Sequence, residues 1–164
     1  TAGYVTGQIR GYNRQIAALI ETKYPVAKHL RQVSGVGPLS PLTHALVIGD
    51  PRRFRRARQV GAYIGLVPRR DQSGARDPQL GIAKTGHGLL RRLLVQAAHY
   101  ILGPFGADSD LRRFGLQIAA RGGKAAKKRA VIAVARKLAV VLHRLWLTGE
   151  VYEPLRHAES ARPR

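Results

Sequence analysis

With 164 residues, 45% of them hydrophobic, the chain is long and apolar enough to fold one domain around its own core, which excludes a disordered basic tail. Its 29 Lys and Arg against 9 Asp and Glu leave a formal net charge of +20, a self-repulsion that calls for a nucleic-acid partner and not a membrane, because no apolar run reaches the ~18 residues of a spanning helix. The absence of Cys excludes disulfides and thiolate metal sites, and the six His are scattered without a close zinc-type pair.

The chain begins at Thr1 and contains no Met, which reads as a piece of a longer protein, with removal of an initiator Met as the alternative. From about Tyr4 to Lys23, Ile9, Ile16, Leu19, Ile20 and Lys23 recur at helical spacing. Residues 1–25 are therefore expected to be a helical arm or linker to an N-terminal domain. Pro25 closes that helix or opens the next. A short helix is expected from Val26 to Val33, then the turn Ser34-Gly35-Val36-Gly37-Pro38, then a helix from Leu39 to Ile48. This is the layout of a helix-hairpin-helix over about 30–50, in which Gly35, Gly37 and the next helix start would face a phosphate. A plain helix–helix turn is the alternative.

Gly49-Asp50-Pro51 breaks the chain, and Arg52, Arg53, Arg55, Arg56 and Arg58 follow around Phe54. A short helix from Ala57 to Ile64 leads into a polar loop, 66–86, longer than ordinary connectors and of the kind that carries function. From His87 to Leu102, Leu90, Leu93, Leu94, Ala97 and Ile101 share one helix face, and Arg92, Gln96 and His99 another. Gly103-Pro104 ends that helix. A further helix to Ala120 is expected to start near Ser109, with Asp110 as its cap. The clearest helix runs from Lys124 to Leu147, with Val131, Val134, Ala135, Leu138, Val141, Leu142 and Leu145 as a continuous apolar stripe. Lys124, Lys127 and Lys128 crowd its start, the wrong end for the helix dipole, and a phosphate partner would account for them. Residues 150–164, with Pro154 and Pro163, read as a flexible tail.

Clustered carboxylates that would hold the ions of a two-metal nuclease are absent, and Asp108 and Asp110 read as loop and cap residues. Arg121-Gly122-Gly123-Lys124-Ala125 lacks the Ser or Thr of a nucleotide-binding loop. In the polar loop, Ser73 has Arg69, Arg70 and Arg76 close in sequence, with Lys84 after them. A hydroxyl attacks a phosphodiester when its proton is removed and the charge at phosphorus is stabilised. Arginine forks suit the second task, Gly74 permits a sharp turn, and Asp71 is a candidate for the first. On these residues alone, a solvated Ser-Gly turn whose arginines make ordinary phosphate contacts is favoured over a catalytic site.

Longer segments narrow the choice. Gly61-Ala62-Tyr63-Ile64-Gly65-Leu66-Val67-Pro68-Arg69-Arg70-Asp71-Gln72-Ser73-Gly74, then Gly81-Ile82-Ala83-Lys84-Thr85-Gly86, then Leu90-Arg91-Arg92-Leu93-Leu94-Val95-Gln96-Ala97-Ala98 stand in one order. Together with Gly35-Val36-Gly37-Pro38, Gly49-Asp50-Pro51-Arg52-Arg53-Phe54 and the stretch from Gly122 to Trp146, this resembles the C-terminal transposase domain of the insertion-sequence-110 family. Those enzymes are bridge-RNA-guided recombinases, related to pilin-gene invertases. The likeness covers roughly Leu30 to Leu155. It departs from the family pattern where Thr is expected in place of Ala83 and Asn in place of His87.

The resemblance implies that Ser73 is the nucleophile that forms a phosphoserine link to DNA. It implies a partner N-terminal RNase-H-like domain carrying Mg2+ on four acidic ligands, with no metal or cofactor in this chain. It also implies a structured guide RNA, a homo-oligomer, and a cytoplasmic, nucleoid-associated bacterial protein without membrane contact. The expected fold is mainly α: a helical domain over 26–149 with a helix-hairpin-helix, one functional loop and a long C-terminal helix. The nucleic-acid-binding candidates are Gly35, Gly37, Arg52, Arg53, Arg69, Arg70, Arg76, Lys84, Arg91, Arg92, Lys124, Lys127 and Lys128. The competing functions are a non-catalytic helix-hairpin-helix binding module and a basic structural protein of ribosome or nucleoid.

Overall fold

The computed structural model describes residues 1–68 and 81–159, with side chains described to His157. Its helices are α1 (Ala2–Thr22), α2 (Pro25–Leu30), α3 (Leu39–Ile48), α4 (Arg58–Ile64), α5 (Gly88–Leu102), α6 (Asp110–Ala119), α7 (Gly123–Thr148) and α8 (Arg156–Glu159), with a 3-10 turn at Pro51–Arg53. Among the described residues, β-structure is confined to one antiparallel bridge between Pro68 and Ile82. The expectation of a mainly α fold holds.

The long α7 is the axis of the molecule. It packs against α5 and α6 and also meets α2, α4 and the 3-10 turn. Its buried surface is broader than the stripe read from periodicity. Ala126, Ala130 and Ala139 join Val134, Leu138, Leu142 and Leu145, and the alanines let neighbouring helices approach closely. Leu30, Ile48, Ile64, Leu66, Leu90 and Leu94 close the core from the other helices. Burying a side chain of this size contributes about 1.5–3 kcal/mol.

The arm is a separate case. Pro25 opens α2, where its missing N–H costs nothing. Only the last turns of α1 are anchored, through Ile16, Ile20 and Tyr24 against Ala27 and Leu42. Val5, Ile9, Tyr12 and Leu19 stay exposed. With Ile16 they recur at alternating steps of four and three residues, the seam spacing of paired helices.

Two expectations need correction. The cap of α6 is Ser109, whose hydroxyl accepts the Arg112 N–H at 3.1 Å, and not Asp110. Asp110 sits in the first turn and accepts the His157 N–H at 2.9 Å. Ser and Asp both cap well, and the residue that leaves the chain extended takes the role. The second correction concerns the expected flexible tail, which is tied down over 150–157. The Pro154 carbonyl accepts the Asp110 N–H at 2.7 Å, and the Tyr152 N–H donates to Gln32 at 2.9 Å. Tyr152 packs half-buried against the core. Residues 160–164 lie outside the described residues.

Candidate nucleic-acid interface

Ser73, Arg69, Arg70 and Arg76 lie outside the described residues, but both chain ends that lead to them are described. On the incoming side α4 stops at Gly65, whose backbone turns left-handed at φ 80°. Leu66 then plugs the core, the chain bends at Val67, and Pro68 pairs with Ile82. On the outgoing side Ile82 to Thr85 run back alongside. The Ala83 N–H donates to the Val67 carbonyl at 2.8 Å, and the Lys84 N–H to the Gly65 carbonyl at 3.3 Å. The two ends of the serine-bearing segment are thus clamped side by side.

Two glycines make the clamp possible. A Cβ on Gly65 would overlap the Thr85 carbonyl oxygen, and one on Gly86, at φ 82°, the Tyr63 carbonyl oxygen. Arg91 locks the crossing from behind. Its guanidinium donates to the carbonyls of Ile64 at 3.2 Å and Thr85 at 3.1 Å. Gly65→Ala and Gly86→Ala are each expected to cost about 2–4 kcal/mol, from left-handed backbone strain plus displaced backbone. Urea denaturation measures this, and losses below about 1 kcal/mol, the ordinary scale of a Gly-to-Ala exchange, would mean that the crossing is not tight.

The two departures from the family pattern fit this geometry. Ala83 contributes its backbone N–H, which needs no hydroxyl. His87 caps α5, its Nδ1 accepting the Leu90 N–H at 3.3 Å, the task an Asn performs at that position. Lys84 takes a left-handed φ of 54°, unusual for a residue with a side chain, and is exposed at the clamp.

The other candidates divide by what they already hold. Arg53 donates to the Ile48 carbonyl at 3.3 Å and lies over the Tyr63 and Phe54 rings at 4.8 and 5.3 Å. Like Arg91, it is partly engaged by the fold. Arg52 is exposed, and its own N–H, not its guanidinium, meets Asp50. Gly35 is accounted for by packing: at φ 89°, its Cβ would lie 2.8 Å from the Tyr100 ring and 3.3 Å from Ile101 of α5. Gly37 opens to free space before α3. Lys124, Lys127 and Lys128 are exposed at the start of α7, which has no side-chain cap and no acidic residue in its first turn. Arg92 is exposed on α5 in line with Gln96 and His99.

Sequence reasoning missed the glycine crossing and a buried pair of imidazoles. His44 of α3 and His143 of α7 are both fully buried, and no ring nitrogen of either has a hydrogen-bond partner among the described residues. Burial, with some contribution from His143, pushes His44 down to about 3, and burial also lowers His143. Both are neutral and pack against aromatic rings, His44 with Trp146 at 6.3 Å and His143 with Phe54 at 5.6 Å. Among the described residues no group of three or more His, Asp or Glu is placed to hold a metal ion. No described helix is long and apolar enough to cross a membrane.

Known proteins give this geometry a context. A family described as Transposase IS116/IS110/IS902 matches residues 27–114, more than half of the chain. The transposase for insertion sequence element IS1111A of Coxiella burnetii is 33% identical over 146 residues, 88% of this chain and 39% of its own length. A probable family 20 transposase of Pseudomonas aeruginosa is 34% identical over 67% of this chain and 32% of its own length. The pilin gene-inverting protein of Moraxella lacunata is 33% identical over 70% of this chain and 35% of its own length. The chain thus spans between about a third and two-fifths of the relatives it matches. Spanning 27–114, the family match takes in α2 to the start of α6 and both sides of the glycine clamp, and the chain belongs to the Transposase IS116/IS110/IS902 family.

Proposed function

We propose that this chain is the DNA-binding, serine-nucleophile part of a transposase that cuts and exchanges DNA strands. The observation that carries the reading is the clamp, which fixes both ends of the Ser73 segment on the core. A nucleophile on a pinned segment pays less ordering entropy to reach its phosphodiester. Ser73 Oγ bonds to phosphorus as one P–O bond to a sugar oxygen breaks. The serine proton passes to a base, and the departing sugar oxygen ends as a hydroxyl. Arg69, Arg70 and Arg76 balance the charge gathering on the phosphoryl oxygens. Energy of the broken ester is kept in the phosphoserine link, so strand exchange needs no external source.

The remaining parts of the proposal concern the whole protein. Its relatives are about two and a half to three times as long as the matched region, and an N-terminal RNase-H-like domain with Mg2+ is proposed to complete the site. The described residues offer no such carboxylate cluster. A guide RNA is proposed to select the DNA, consistent with a net charge of +20 whose phosphate contacts position a strand but do not specify its sequence. The exposed seam on α1 supports a homo-oligomer.

The test is to trap the link. Full-length protein is incubated with its element's labelled DNA ends and RNA, then denatured. A covalent adduct mapping to Ser73 by mass spectrometry is the expected result. An adduct on another residue removes Ser73 as the nucleophile, and recombination with no protein–DNA link refutes the reading in favour of a non-catalytic binding module.

A further inference from the structure

Arg92, Gln96 and His99 stand at i, i+4 and i+7 on α5, a spacing that lines them along one helix face. All three are exposed, and none of their side chains is held by another described residue. They rim a shallow groove. Its floor is apolar, made by Val95 beside them, Ile132 of α7 and Ile82 of the clamp. Arg91 also borders it, and among the described residues no carboxylate lines it. One turn before Ile132 on α7 stands the exposed Lys128.

We propose that this groove holds single-stranded DNA, the stretch of strand flanking the phosphodiester presented to Ser73. The proposal rests on the reading of Ser73 given above and deepens it. Position is the first argument. Ile82 is the residue bridged to Pro68, so the groove begins where the serine-bearing segment leaves the core. Chemistry of the lining is the second. A duplex turns its phosphates outward and keeps its bases stacked, and it gains nothing from an apolar floor. An unpaired nucleotide exposes the faces of its base and sugar, which lie well on Ile82, Val95 and Ile132. Its phosphates then meet Arg92 and Lys128, and its base edges meet Gln96 and His99. The floor also decides between the two nucleic acids. Three aliphatic side chains offer a ribose 2′-hydroxyl no hydrogen bond, and covering that hydroxyl would cost an RNA strand its hydration.

The chain carrying Ser73→Ala, which removes the covalent step, is titrated by fluorescence anisotropy. The probes are a labelled single-stranded DNA, the same sequence as duplex, and the same sequence as RNA. Arg92→Ala combined with Gln96→Ala changes only exposed side chains and leaves the fold intact. It is expected to lower single-strand affinity about tenfold and to reduce the slope of log affinity against log salt by about 0.7, the value for one phosphate contact on a single strand. Duplex binding is expected to fall much less. Ile132→Asp is expected to act in the same order, with its thermal unfolding checked alongside. Unchanged single-strand affinity in the double variant overturns the proposal. So does an equal loss for duplex, or a loss confined to RNA. None of these readouts involves adduct formation, so this inference and the role of Ser73 fail separately.

Discussion

Recombination by the full-length protein is expected to fall by on the order of a thousandfold or more when Ser73 becomes Ala, because removing a covalent nucleophile removes the reaction path itself. DNA binding by the same variant is expected to stay near its starting value. Binding draws on the charge of +20, which the substitution leaves unchanged. It should therefore keep its steep salt dependence, about 10³–10⁵ between roughly 50 and 200 mM for a surface making about 6–10 phosphate contacts. The pair of results is more informative than either alone. Loss of recombination with full binding assigns Ser73 to chemistry. Loss of both would mean that the serine supports the loop's shape, and survival of recombination would remove it from the mechanism. The measurement is recombinant product in a donor–target assay beside anisotropy on the same preparations.

Acid is expected to destabilise the fold well above the range where carboxylates titrate. His44 has a folded value of about 3 against an ordinary 6.5, so between those limits the unfolded chain holds a proton that the folded chain refuses. Stability from this residue is therefore complete above about pH 6.5 and is lost as pH falls below it. The loss reaches about 2 kcal/mol at pH 5 from His44 alone, by the exchange rate of ~1.4 kcal/mol per unit. His143, lowered in the same direction, adds to it. Urea denaturation from pH 7.5 down to 5 reads this directly. His44→Leu is expected to flatten the profile and to be neutral or stabilising at pH 7.5, since it replaces a buried ring whose nitrogens have no partners among the described residues. A wild-type slope retained in that variant would assign the acid sensitivity elsewhere.

How much of this was legible in the sequence follows from the range of the forces involved. The helices were, because periodicity is local: Leu39–Ile48 was delimited by Pro38 before and Gly49 after, and α7 by its repeating Val, Ala and Leu. The end of the chain was misread because its composition is polar and proline-rich, while what holds it is backbone: the Pro154 carbonyl and the Tyr152 N–H. Such bonds carry no residue signature. Ser73 and its arginines were singled out as residue types, and the resemblance gave Ser73 its role. The clamp beside them was hidden, since glycines 65 and 86 matter through contacts with Thr85 and Tyr63 that only the folded crossing creates. The groove was half visible. Arg92, Gln96 and His99 could be put on one face, but Ile132 lies dozens of residues away on another helix, and no pattern within one helix places it there.

The clamp also separates two demands that usually compete. A loop that must change shape during a reaction ordinarily weakens the core it springs from, because closing its ends is charged to the fold. Here the ends are already closed by Gly65, Gly86, Arg91 and two backbone hydrogen bonds. Changes in the length of the segment between them cost only the slow logarithmic growth of loop closure, about 0.6 kcal/mol per doubling. A change in the number of residues between Pro68 and Gly81 is therefore expected to leave the packing of the helices beneath them unchanged. The scaffold and the chemistry are thus anchored by different residues.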